Sequence, residues 1–79
     1  MYWLIEYIYG DRFGTEINAD SWQEALDKGL FEFESLSEHD QIRRSSVEVW
    51  EADRVYDEDL PDIICIPDDD TVKKIYTIK

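Results

Sequence analysis

Residues 2–9 read Tyr-Trp-Leu-Ile-Glu-Tyr-Ile-Tyr, a β-branched and aromatic run of strand length. Alternation places Trp3, Ile5, Tyr7 and Tyr9 on one face and Tyr2, Leu4, Glu6 and Ile8 on the other. With apolar groups on both faces, this strand is expected inside a sheet. Gly10-Asp11-Arg12-Phe13-Gly14 is turn chemistry, two glycines around a polar tip. Phe13, Thr15, Ile17 and Ala19 then alternate with Gly14, Glu16 and Asn18, which predicts a second, half-exposed strand and a hairpin.

A helix is expected from Trp22 to Glu34. Ser21-Trp22-Gln23-Glu24 fits a capping box, with Asp20 as an alternative cap. Trp22, Ala25, Leu26, Gly29, Leu30 and Phe33 recur at helical spacing as one apolar stripe, and Glu24, Asp27, Lys28, Glu32 and Glu34 fall on the wet side. Gly29 costs about 1 kcal/mol against Ala in a helix interior, so its place on the buried stripe suggests a close approach to the sheet. Residues 35–45 lack a clear period and read as a loop with room for a helical turn. Val47, Val49 and Trp50 mark a third strand, 53–62 an acidic connection, Ile63–Ile66 a short strand, and Val72–Ile78 the last. The expected class is α+β: one domain over 1–79, with one helix on a mostly antiparallel sheet of four to five strands in the order β-β-α-β-β-β.

Twenty carboxylates face eight Lys and Arg, a net charge of −12 on 79 residues. Such self-repulsion disfavours a compact state. Folding is nonetheless expected, because three Trp, five Tyr and three Phe supply large core side chains, whereas disordered acidic chains are poor in them. Solubility alone asks for a net charge of about 2–8 in magnitude. The excess is concentrated. Residues 51–70 hold Glu51, Asp53, Asp57, Glu58, Asp59, Asp62, Asp68, Asp69 and Asp70 against Arg54 alone, a net of −8. Trp50, Tyr56 and Leu60 lie within or beside this block as candidate apolar anchors.

Other chemistry finds little support. Cys65 is the only cysteine and sits in an apolar run, so it reads as a buried thiol, and neither an intramolecular disulfide nor a Cys-based zinc site is open to the chain. His39 is the only histidine and reads as an exposed loop residue. The three glycines match no phosphate-binding motif. Asp57-Glu58-Asp59 and Asp68-Asp69-Asp70 offer oxygens but not the calcium-loop pattern. No catalytic residues, metal or cofactor are expected. Direct nucleic-acid binding is disfavoured by the same charge. No leader or membrane-length apolar stretch is evident, so a cytoplasmic location is expected.

Ile17-Asn18-Ala19-Asp20-Ser21-Trp22-Gln23-Glu24-Ala25, entering a helix between strands of a short acidic chain, resembles small β-β-α-β proteins of phages and mobile elements. That class includes anti-CRISPR and anti-restriction proteins, several of them nucleic-acid mimics. The resemblance covers residues 2–52 and carries over no functional residues; the acidic segment after 52 has no counterpart in it. It implies an inhibitor that occupies a basic, nucleic-acid-binding surface of a bacterial defence complex, such as a CRISPR effector in the cytoplasm of an infected cell. The alternative is an adaptor or immunity-type module working through an exposed strand edge or apolar patch, as a monomer or homodimer.

Overall fold

The computed structural model describes residues 1–57 and 64–79, with the side chains of 56, 57, 64 and 65 left aside. The fold is α+β. Strands β1 (Tyr2–Ile8), β2 (Asp11–Ile17), β3 (Arg44–Glu51) and β6 (Lys74–Thr77) form an antiparallel sheet in the order β2-β1-β3-β6. Helix α1 (Trp22–Glu34) packs on one face, and a short helix α2 (Glu38–Arg43) leads into β3. Strands β4 (Arg54–Asp57) and β5 (Ile64–Pro67) form a separate two-stranded sheet.

The first strand lies between β2 and β3, as its two apolar faces require. On one face Leu4, Ile17, Val47 and Val49 form a core with Ala25 of α1, joined by Trp22, Leu26 and Phe33. On the other, Trp3, Ile5, Trp50 and Ala52 form a second core, flanked by Tyr7 and Val72. Trp3 is fully buried, and its indole N–H donates to the Ala52 carbonyl at 3.0 Å. Burial of each such large side chain contributes about 1.5–3 kcal/mol, which a thin domain with −12 charges needs on both faces.

The Phe13-to-Ala19 strand starts two residues earlier than its spacing suggests. Tyr9 and Gly10 both have positive φ (51° and 83°), and Ile8 pairs with Asp11, so a two-residue turn of the primed kind closes the hairpin. Arg12, Phe13 and Gly14 therefore belong to β2. The α1 boundaries match their capping signals: the Ser21 hydroxyl accepts the Glu24 N–H at 3.2 Å, while the Glu24 carboxylate reaches the N–H of Asp20.

Three elements differ from the sequence reading. Residues 38–43 form α2, capped by Ser37 accepting the Asp40 N–H, so His39 lies exposed on a helix. Residues 54–57, within the acidic connection, form β4. The strand around Ile64–Ile66 pairs with β4 and does not extend the main sheet. This small sheet lies on the face opposite α1: a Cβ on Gly14 would stand 3.2 Å from Pro67 Cδ, and Arg54 reaches Glu16 at 2.8 Å. Packing against β2 on that face removes apolar surface from water. Ile63 and the Cys65 side chain lie outside the described residues.

Candidate partner-binding surfaces

The acidic block folds back on itself. The Lys73 N–H donates to the Glu51 carbonyl, the Asp68 N–H to the Asp53 carbonyl, each at 2.8 Å, and the Asp53 N–H to the Thr71 hydroxyl at 2.8 Å. Residues 51–53 thus run beside 68–73, which brings Asp53 near Asp68, Asp69 and Asp70 from a distant stretch of chain, while the register of β3 turns Glu51 to the helix face, across from Lys74. Asp69–Thr71 is a 3₁₀ turn, capped by the Asp68 carboxylate accepting the Asp70 N–H at 3.0 Å. Asp53, Asp69 and Asp70 are exposed.

The chain's own cations engage part of this surface. Arg12 bridges to Asp69 at 3.1 Å and lies 5.3 Å over the Trp50 ring. Desolvation lowers the Arg12 pKa, but hydrogen bonding and attraction from Asp69 and Tyr7 outweigh it and hold the guanidinium above its ordinary value. Among the described residues, Glu51, Asp53, Asp68 and Asp70 take part in no salt bridge. Trp50 is only 6% exposed, part of the core beneath Arg12, and so offers no anchor at the surface. Glu58, Asp59, Leu60 and Asp62 lie outside the described residues, as do the side chains of Tyr56 and Asp57.

A second surface escaped the sequence reading. Four strands spaced about 4.8 Å apart are wider than one helix, about 10–12 Å across. Gly29 sets α1 closest to Val49 of β3, with Ile17 of β2 and Leu4 of β1 also beneath it, and the part of β1 and β2 beside residues 24–32 stays open. A groove of about 600 Å³ results, with Glu6, Glu24, Asp27 and Glu32 against Lys28; Glu16 meets it along β2, but its carboxylate turns to the far face, toward Arg54. Buried Leu4 and Ile17 also line it, together with Phe31, which is 69% exposed. Arg44 and Lys28 bridge to Glu6 and Glu24, whereas Asp27 and Glu32 stand in no salt bridge among the described residues. Only the tertiary placement of α1 makes this groove, which is why no linear motif announces it.

The opposite edge has the reverse character. Residues 72–79 carry Lys73, Lys74 and Lys79 and no acid. In β6, Ile75 is 55% and Tyr76 50% exposed. Among the described residues, no group of His, Cys, Asp or Glu is placed to hold a metal ion, and no helix is long and apolar enough to cross a membrane. In comparisons with known proteins, no family model matches this chain, no curated protein matches its sequence, and no solved structure matches its fold.

Proposed function

We propose that this chain is a non-catalytic acidic binding protein whose carboxylates enter a cationic, nucleic-acid-binding surface of another protein, a bacterial defence complex of the CRISPR type being the target to test. The supporting observation is the alignment of 51–53 with 68–73, which holds Asp53 near Asp68 and Asp70, none of them in a salt bridge among the described residues. Backbone hydrogen bonds fix these groups before binding, so association orders less chain than a flexible acidic tail would. Opposite charge on the target would steer encounter and make it salt-sensitive.

The test is competition between this protein and DNA for a purified CRISPR effector at rising salt. The double variant Asp53→Asn, Asp70→Asn should weaken binding by about tenfold or more, equivalent to about 1.4 kcal/mol, chiefly through a slower on-rate. Unchanged binding by this variant, or affinity indifferent to salt, would overturn the reading.

A further inference from the structure

The two edges of the main sheet are complementary to each other. Among the described residues, strand β2 is one edge and β6 the other. The Ile8–Asp11 pair closes a two-residue turn, so alternation turns the backbone groups of Arg12, Gly14 and Glu16 outward. The Ile78 N–H donates to the Val47 carbonyl, so the same alternation turns those of Ile75 and Thr77 outward at the other edge. The acidic groove flanks β2, whereas β6 belongs to a segment with three lysines and no acid. Each edge also exposes large apolar groups, Phe13 and Phe31 at one and Ile75 and Tyr76 at the other.

Strand direction makes them fit. β1 is antiparallel to both β2 and β3, and β3 is antiparallel to β6, so β2 and β6 run in opposite directions. A copy displaced sideways by one sheet width, its helix on the same side, presents β6 antiparallel to β2. Lys74 and Tyr76 lie on the helix face of β6, as the register and the placement of Lys74 over the Trp22 ring show. We propose that copies of this chain associate head to tail, the β6 edge of one pairing with the β2 edge of the next and setting Lys74 and Tyr76 into the acidic groove beside α1. A two-fold β6–β6 pair would instead set lysines against lysines, and a β2–β2 pair would bring two acidic grooves together; like charges in such positions oppose pairing.

This inference stands apart from the function proposed above, since it uses none of the 51–70 carboxylates. A single added strand buries less than about 1,200 Å², the weak and transient class. At low ionic strength the whole −12 charge repels a second copy. At about 0.15 M the Debye length of about 8 Å confines the interaction to the complementary edges.

Sedimentation velocity at physiological ionic strength tests this with two variants, both checked for folding by circular dichroism. Lys73→Glu with Lys74→Glu alters the basic edge, and Asp27→Lys with Glu32→Lys alters the groove. The unaltered protein should form concentration-dependent dimers and longer species, and each variant alone should sediment as a monomer. Their mixture should restore association, in species that alternate the two variants, because the retained groove of one meets the retained basic edge of the other and the reversed groove meets the reversed edge. A monomer at all concentrations, association of either variant alone to the unaltered level, or failure of the folded mixture to pair would overturn the proposal.

Discussion

Gly29 lies so close to Val49 that an added Cβ would stand 2.7 Å from Val49 Cγ2. Helix α1 therefore rests on β3 with its backbone nearly touching the sheet. Alanine at 29 gains about 1 kcal/mol of helix propensity but forces helix and strand apart, at a cost of about 1–3 kcal/mol. Gly29→Ala should lower the midpoint of urea unfolding, and pairing it with Val49→Ala should recover part of the loss in a double-mutant cycle.

Trp3→Phe removes the donor to the buried Ala52 carbonyl. Leaving such an acceptor unsatisfied costs about 1–3 kcal/mol, to which the smaller ring adds lost packing. Thermal unfolding should shift down by about 4–8 °C for each kcal/mol in a domain of this size. A shift within error would show that the hydrogen bond contributes nothing net.

Arg44 donates to Glu6 where both side chains are only about 15% exposed, and it also donates to the Asp40 carbonyl. Arg44→Met should cost about 3 kcal/mol, because it leaves Glu6 partly buried without its partner. Adding Glu6→Leu should recover most of that stability. Denaturant titration of the two variants reads the difference.

Glu24 contributes stability that depends on pH. Its hydrogen bond from Lys28, and then that from the Asp20 N–H, hold its pKa below the ordinary carboxylate value. The contribution is therefore complete above the unfolded-state pKa and is lost as pH falls through the lower folded value. Glu24→Gln should be less stable than the unaltered protein at neutral pH, and the gap should close on acidification through that window. A gap independent of pH would show that the loss comes from packing.

Much of the fold was legible because it is written locally. The cap at Ser21 and the stripe from Trp22 to Phe33 set α1 to the residue. Alternation in residues 2–9 named both faces of β1 correctly. Helix α2 carried a readable signal too, since Ser37-Glu38-His39-Asp40 repeats the Ser-x-x-acid pattern, but too few apolar residues follow to give it a period. The two-residue turn was obscured because Tyr9 occupies a left-handed conformation that favours glycine or asparagine. Of the acidic block, the sequence showed where the charge is, but not that Asp69 is bridged by Arg12 or that Trp50 lies beneath it.

By itself the sequence determined the class, the main helix, the faces of the strands and the excess of acid, because propensity, caps and periodicity act over a few residues. Tertiary structure alone decided that β6 crosses to pair with β3, that β4 and β5 leave the main sheet and pack against β2 on the face opposite α1, and that the part of β1 and β2 beside residues 24–32 of α1 stays open. Those choices depend on which apolar faces meet across long stretches of chain, and periodicity reports a face without naming the neighbour that will cover it.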